Sequence, residues 1–199
     1  MEALTYTNNN GGTMILYINA CVRPESRTKR LADHVIASLD GEVREVRLAE
    51  MRFPIADNAF LDKRNALYQK NDYSDPLFDP ARDFAEADII VVAAPFWDLS
   101  FPAMLKQYFE QICVLGMTFY YDENDLPRGM CKAKKLYSVT TAGGPIFNDA
   151  YGYGYVRELA RTFFGIPESC MIKAENLDIA GSDPEQILAE AIKKFDAGQ

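Results

Sequence analysis

The sequence predicts an α/β fold in which helices cover both faces of a parallel β-sheet. Short β-branched runs alternate with amphipathic stretches from Met14 onward, which is the pattern of successive βαβ units. The run from Ile89 to Ala94 is apolar on both faces, as expected of a central parallel strand. A chain of 199 residues, 48% of them hydrophobic, can bury one core without disulfides.

The individual elements follow from this alternation. Between residues 101 and 115 apolar residues recur at spacings of three and four and form one face of a helix, namely Leu105, Tyr108, Phe109 and Ile112. Gly116 ends this helix. The predicted strands are Ile15 to Asn19, Val43 to Leu48, Asp88 to Ala94, Lys135 to Thr141 and Met171 to Asn176. The predicted helices are Ser26 to Leu39, a short one at Leu61 to Lys70, Pro80 to Ala87, Phe101 to Leu115, Tyr155 to Phe164 and Pro184 to Phe195.

Two segments depart from the regular pattern. Residues 1–13 carry no periodic apolar pattern and are predicted to be a flexible tail before a single domain of residues 14–199. Residues 51–79, with Pro54 and Pro76, are too long for an ordinary connection. We expect this insertion to contact a second subunit or to cover the functional site.

Composition excludes several classes of partner. A net charge of −8 and a pI near 4.7 argue against nucleic acid or an anionic membrane, so a small-molecule partner is expected. No apolar run is long enough to span a bilayer and no secretion signal is evident, which favours a cytoplasmic protein. Four cysteines without C-x-x-C spacing, and His34 as the single histidine, predict reduced thiols and no metal site. Cys21 is the one thiol whose reactivity needs checking.

The loop after the first strand, residues 19–28, is a candidate phosphate site. It offers the hydroxyls of Ser26 and Thr28, backbone N–H groups at a helix start, and the basic side chains of Arg23, Arg27, Lys29 and Arg30. It matches neither G-x-x-x-x-G-K-[ST] nor G-x-G-x-x-G, so a mononucleotide phosphate fits it better than ATP or a dinucleotide. The alternative is that Ser26 only caps a helix whose basic residues face water.

The loop after the central strand is unusually aromatic. It runs through Pro95, Phe96, Trp97, Asp98 and Leu99, and its exposure would leave an apolar patch unless a flat ligand or another subunit covered it. Backbone N–H groups of residues 97–99 are candidate donors to the edge of such a ligand. Core packing beneath the insertion explains the aromatics equally well.

The loop after the fourth strand contains Thr141, Ala142, Gly143 and Gly144. Paired glycines let the backbone approach a ligand closely, although a glycine pair before proline is by itself more often a turn. All three loops follow strands of one parallel sheet, and ligands of such sheets bind beyond the carboxyl ends of the strands. The sequence therefore predicts that the three loops form one site.

Over most of residues 14–195 the chain resembles the FMN-dependent NADH:quinone oxidoreductases, also called azoreductases, of the flavodoxin-like superfamily. The resemblance rests on blocks in the same order along the chain: A-A-P-F-W-D-L-S at 93–100, L-K-Q-Y-F-E at 105–110, G-M-T-F-Y-Y at 116–121 and T-A-G-G at 141–144. It implies a five-stranded sheet in the order 2-1-3-4-5. The family commonly has serine at the position of Ala20, asparagine at Asp98 and a basic residue at Ala142. The differences at Asp98 and Ala142 put redox potential and substrate preference in question more than flavin binding itself.

The resemblance also implies a mechanism. FMN would accept hydride from NADH or NADPH and pass two electrons to a quinone or azo compound in a ping-pong cycle, with no catalytic residue beyond the flavin. Relatives are usually homodimers with flavin sites at the subunit boundary. The implied cofactor-binding residues are Ser26, Arg27, Thr28, Pro95, Phe96, Trp97, Asp98, Leu99, Thr141, Ala142, Gly143 and Gly144, and the implied substrate-pocket residues are Phe119, Tyr120, Tyr121 and Tyr151.

Two other interpretations remain open from the sequence. The acidic composition also suits a flavin-binding electron carrier or redox sensor that turns over no organic substrate. The residues at Ala20, Asp98 and Ala142 also suit a partner-binding module on the same fold that has lost its cofactor.

Overall fold

In a computed structural model of the chain, which describes residues 12–198, five strands form one parallel sheet. Within those residues the strands are β1 Met14–Asn19, β2 Glu42–Arg47, β3 Ile89–Ala93, β4 Phe119–Tyr121, β5 Pro127–Gly129, β6 Lys135–Thr141 and β7 Glu168–Ala174. The sheet order is β2-β1-β3-β6-β7, with every neighbouring pair parallel. This is the order 2-1-3-4-5 when only the strands of this sheet are numbered, so the predicted fold class is confirmed.

Helices cover both faces of this sheet. Within the described residues they are α1 Arg27–Ala37, α2 Asn58–Gln69, α3 Asp79–Glu86, α4 Ala103–Ile112, α5 Tyr153–Leu159 and α6 Pro184–Ala197. Short 3-10 turns occupy Leu48–Glu50 and Pro76–Phe78, and a π-helical turn at Ala160–Phe164 prolongs α5. Each predicted helix overlaps one of these helices, with ends that differ by a few residues.

Two apolar layers flank the sheet because both of its faces are covered. Along β1, Leu16 and Ile18 enter the layer beneath α3, α4 and α5, whereas Ile15 and Tyr17 enter the layer beneath α1 and α6. Alternate residues of a strand point to opposite faces, so the run of buried residues in β1 supplies both layers. The core therefore fixes the carboxyl ends of β1, β3 and β6 along one edge.

Four of the five predicted strands differ from the observed ones at their ends, and only Lys135–Thr141 matches at both ends. The strand predicted at Met171 to Asn176 begins at Glu168 and ends at Ala174, because Glu168 already pairs with Lys135 of β6. The strand predicted to end at Leu48 stops at Arg47, and Leu48 begins a 3-10 turn. The ends of a strand depend on which residues form hydrogen bonds with the neighbouring strand, and the local hydrophobic pattern does not show this.

The antiparallel hairpin β4–β5 was not predicted. Its strands have three residues each, too few for a recognisable alternation. The turn between them is organised by Asp122, whose carboxylate accepts the N–H groups of Asn124 and Leu126 at 2.9 and 3.1 Å. Gly129 of β5 lies against Gly165, which follows the π-helical turn.

The insertion places α2 on the surface. None of its residues is buried, although it carries Phe60, Leu61 and Tyr68. The segment is held to the body through Tyr73, whose hydroxyl donates to the carbonyl of Leu115 at 3.0 Å. A role for α2 in subunit contact or site covering stays a prediction. Of the predicted tail, residues 1–11 lie outside the described residues.

Candidate functional site

The three loops singled out in the sequence meet in one cleft of about 280 Å³. Backbone hydrogen bonds hold them together: the N–H of Ala20 donates to the carbonyl of Ala93 at 2.8 Å, and the N–H of Phe96 to that of Thr141 at 2.9 Å. Of the expected cofactor residues, Asp98, Leu99 and Gly144 do not line the cleft. Those that do are Ser26, Arg27, Thr28, Pro95, Phe96, Trp97, Thr141, Ala142 and Gly143, joined by Val22, Arg23, Glu25, Leu177 and Asp178.

The start of α1 offers unpaired donors to this cleft. Ser26 is the N-cap, and its hydroxyl accepts the N–H of Lys29 at 3.3 Å. Within residues 12–198, the N–H groups of Arg27 and Thr28 have no acceptor. The first turn of a helix leaves such groups free, and together with the helix dipole they favour an anion.

The basic side chains around this helix start are mostly paired with carboxylates. Arg27 meets Asp178 at 2.7 Å, Arg30 meets Glu185 at 2.6 Å, and Lys29 meets Asp33 at 2.7 Å. Arg23 is exposed and has no ion pair among the described residues. The sequence analysis counted these side chains as basic groups of the loop and did not include their carboxylate partners. Two of those partners, Asp178 and Glu185, lie far away in the sequence.

The hydroxyls of Thr28 and Thr141 bind each other across the floor of the cleft. Their oxygens are 2.6 Å apart, and both residues are buried. This contact joins the first turn of α1 to the end of β6. Both hydroxyls are thus already engaged, and a ligand would share them rather than meet them free.

We expect Thr28→Val to lower the free energy of unfolding by about 1–3 kcal/mol, because the hydroxyl of Thr141 would stay buried without its partner. Denaturant unfolding followed by circular dichroism measures this loss. The double variant Thr28→Val, Thr141→Val should recover part of it, since no polar atom is then left unpaired. Additive losses in the double variant would contradict a direct pairing.

The loop after β3 makes a tight turn at Asp98 and Leu99. The N–H and carbonyl of Trp97 pair with the carbonyl and N–H of Ser100 at 2.9 and 2.8 Å. Asp98 and Leu99 both have positive φ, 50° and 66°, a conformation that costs a leucine on the order of 1 kcal/mol or more. The N–H of Trp97, expected to face a ligand, is therefore used within the turn. Among the described residues, the N–H groups of Asp98 and Leu99 have no acceptor.

Aromatic and apolar side chains border the turn. Trp97 is 43% exposed and Leu99 56% exposed, and Phe96 packs its ring beside Gly152. Ser100 donates its hydroxyl to the carbonyl of Tyr151 at 2.6 Å, which brings the exposed Tyr151 to the same rim. A flat ligand seated there would cover apolar surface that otherwise faces water.

The other expected substrate-pocket residues lie elsewhere. Phe119 is buried against Phe163, with ring centroids 4.9 Å apart. Tyr120 and Tyr121 are exposed on the β4–β5 hairpin. None of the four expected substrate-pocket residues, Phe119, Tyr120, Tyr121 and Tyr151, lines the cleft of this chain. Tyr155 packs against Phe101 and Phe109 at the edge of the core.

The loop after β7 is a fourth contributor that the sequence reading missed. The N–H groups of Leu177 and Asp178 donate to the carbonyls of Ala142 and Gly143 at 3.2 and 2.8 Å. Asp178 approaches so closely that a Cβ on Gly143 would lie 2.5 Å from its Oδ2. Ligands bind beyond the carboxyl ends of parallel strands, and β7 is one of these strands. The same rule could therefore have predicted that the loop after β7 belongs to the site.

Cys21 borders the site but is not set up as a nucleophile. Burial raises the pKa of its thiol, and this outweighs the hydrogen bond from Ser26 that acts in the opposite direction. A thiol that stays protonated at neutral pH reacts slowly, because the thiolate is the reactive form. Burial likewise raises the pKa of Cys113 to about 11. Within residues 12–198, no group of side chains is arranged to hold a metal ion, and no helix there is long and apolar enough to cross a membrane.

Comparison with known proteins places the chain in a family. The sequence profile of a family with the flavodoxin-like fold matches residues 13–198. The FMN-dependent NADH:quinone oxidoreductase 2 of Clostridium acetobutylicum is 36% identical over 191 residues, covering 90% of this chain and 94% of that protein. The chain belongs to the FMN-dependent NADH:quinone oxidoreductase family.

Solved structures agree on the fold of this family member. An azoreductase from Bacillus anthracis superposes with a TM-score of 0.78 at 21% identity, covering 94% of this chain and 98% of that one. A second, described as an FMN-dependent NADH-azoreductase from Bacillus anthracis in complex with FMN, gives a TM-score of 0.76 at 19% identity, covering 94% and 97%. At these identities the likeness concerns the fold alone.

Proposed function

We propose that this family member binds FMN in the cleft and catalyses two-electron reduction of quinones or azo compounds by a reduced nicotinamide. The observation that carries the proposal is a set of unpaired donors at two places: the N–H groups of Arg27 and Thr28, which line the cleft, and those of Asp98 and Leu99 on the turn beside the cleft residue Trp97. The names of its relatives support the same reading.

The residues of the cleft fit a flat phosphorylated ligand. The start of α1 suits a phosphate, and the turn after β3 offers unpaired donors next to apolar surface for a ring. The volume of about 280 Å³ lies just below the ~300–1,000 Å³ usual for ligand pockets, and the cleft is open to solvent. A ligand larger than this cleft can therefore extend past Trp97 and Tyr151.

Each part of the cleft then has a defined task. Bound FMN supplies the hydride chemistry that links a nicotinamide to a quinone or azo acceptor. Ser26, Arg27 and Thr28 would hold the phosphate, and the N–H groups of Asp98 and Leu99 would bind the edge of the ring. Pro95, Phe96 and Trp97 would shape the ring pocket, and Thr141, Ala142, Gly143 and Gly144 would face its pyrimidine side.

We place the electron donor and the acceptor, in turn, on the open side of the ring. Trp97, Leu99 and Tyr151 offer exposed apolar surface there on which a flat substrate can stack. Tyr120 and Tyr121 are exposed and do not line this cleft, so we assign them to the site of a second subunit in a homodimer. NADH is the donor named for the relatives, and use of NADPH and a cytoplasmic location also belong to the proposal.

The test is flavin binding followed by turnover. The purified protein should bind FMN with a dissociation constant at or below micromolar, and anaerobic NADH or NADPH should bleach the flavin absorbance. Menadione should then restore that absorbance and sustain steady-state NADH oxidation. Binding without reduction by either nicotinamide would indicate an electron carrier or sensor, and absence of FMN binding would indicate a module that has lost its cofactor. Either result would contradict the proposed activity.

A further inference from the structure

We infer that Asp178 competes with the phosphate of the cofactor for Arg27, and so lowers the preference of the site for FMN over unphosphorylated riboflavin. The inference rests on the proposed FMN site. It concerns a residue outside the three loops identified from the sequence, on the loop after β7.

The first step is the position of the carboxylate. Asp178 lines the same cleft as Ser26 and Arg27, and one of its oxygens lies 2.7 Å from the guanidinium of Arg27. The other oxygen lies against Gly143, where a side chain would leave it no room. The carboxylate thus occupies the side of Arg27 that faces the cleft wall formed by the loops after β6 and β7.

The second step is the effect of this pair on the charge of the cleft. An arginine paired with a carboxylate presents almost no net charge to a third group. Lys29 and Arg30 are paired in the same way with Asp33 and Glu185, so of the four basic residues of this loop only Arg23 has no ion pair among the described residues. To use Arg27, a phosphate at the start of α1 must take it from Asp178, which leaves an uncompensated carboxylate beside the phosphate.

The third step is that the pair is weak enough to exchange. The side chain of Asp178 is 64% exposed and that of Arg27 is 32% exposed. Exposed ion pairs are screened by water and hold their partners loosely. A phosphate carries more charge than a carboxylate and can also accept hydrogen bonds from the free N–H groups of Arg27 and Thr28. It therefore displaces Asp178 from Arg27. Asp178 then remains as a repelling neighbour.

The experiment measures flavin affinity in Asp178→Asn, which keeps the shape of the side chain and removes its charge. Titrations that follow quenching of flavin fluorescence should show FMN binding about tenfold tighter than in the wild type, and riboflavin binding unchanged. Glu185→Gln is the matched control. It also removes a carboxylate that is paired with a basic residue of α1, but Glu185 does not line the cleft. Its FMN affinity should equal that of the wild type.

A double variant locates the effect. If Asp178 acts through Arg27, Asp178→Asn should strengthen FMN binding much less when combined with Arg27→Gln. Equal or weaker FMN binding in Asp178→Asn would overturn the inference and indicate a carboxylate that positions Arg27. A failure of the proposed function would look different, because neither the wild type nor any variant would then bind FMN. That result would remove this inference as well.

Discussion

Combining Arg27→Glu with Ser26→Ala is expected to raise the FMN dissociation constant at least ~100-fold. Charge-assisted hydrogen bonds to a phosphate contribute about 1.5–3 kcal/mol each, and the introduced carboxylate would repel the phosphate as well. Both side chains line the cleft at the start of α1. The measurement is a fluorescence or absorbance titration with FMN.

Two controls make this result specific. Riboflavin, which lacks the phosphate, should bind the variant and the wild type with similar affinity. Arg30→Glu is the matched charge reversal, because Arg30 also pairs with a carboxylate, Glu185, but lies outside the cleft. It should leave the FMN dissociation constant within a few-fold. A double variant that binds FMN as the wild type does would remove the assignment of the phosphate to the start of α1.

The second large effect concerns folding, and we expect Gly129→Ala to lower the free energy of unfolding by about 3 kcal/mol. A Cβ on Gly129 would fall well inside van der Waals distance of the Gly165 nitrogen and the Phe164 carbonyl carbon. These are backbone atoms, so no side-chain rotation can relieve the overlap. Gly165 itself has a φ of 69°, so the turn after α5 has little freedom to move away.

Denaturant unfolding of the apoprotein measures this effect. Gly198→Ala is the matched control, because a Cβ there would meet its nearest neighbours at 3.5 and 3.8 Å, which is ordinary contact. Its stability should change by no more than about 0.5 kcal/mol. An Ala variant at position 129 as stable as the wild type would show that the hairpin β4–β5 does not need this close approach.

The α/β fold could be predicted from the sequence because residues that are buried in helices and strands are apolar and recur at regular spacings along the chain. The run at Ile89 to Ala94 is buried on both faces of the sheet, and its pattern predicted a central strand. The hairpin at Phe119 shows no such regular spacing, since three-residue strands are shorter than the period that reveals them. Local patterns thus predicted the long elements and missed the short ones.

The candidate site divides in the same way. Ser26, Trp97 and Gly143 were singled out because each follows a predicted strand, and the structure places all three at one cleft. The free N–H of Trp97 was an expectation that the structure overturned, since a turn closes on it. Backbone groups are assigned by three-dimensional neighbours, so their availability cannot be predicted from residue types.

The sequence by itself determined the parallel α/β architecture, the family and the three loops that follow β1, β3 and β6. The tertiary structure alone decided which side chains in those loops are already engaged. Thr28 meets Thr141 across 113 positions of the chain, and Arg27 meets Asp178 across 151. Hydrophobic periodicity reports where a residue is buried relative to its own neighbours along the chain. Contacts at such separations depend on the order of the strands in the sheet and on the packing between layers, which no local pattern encodes.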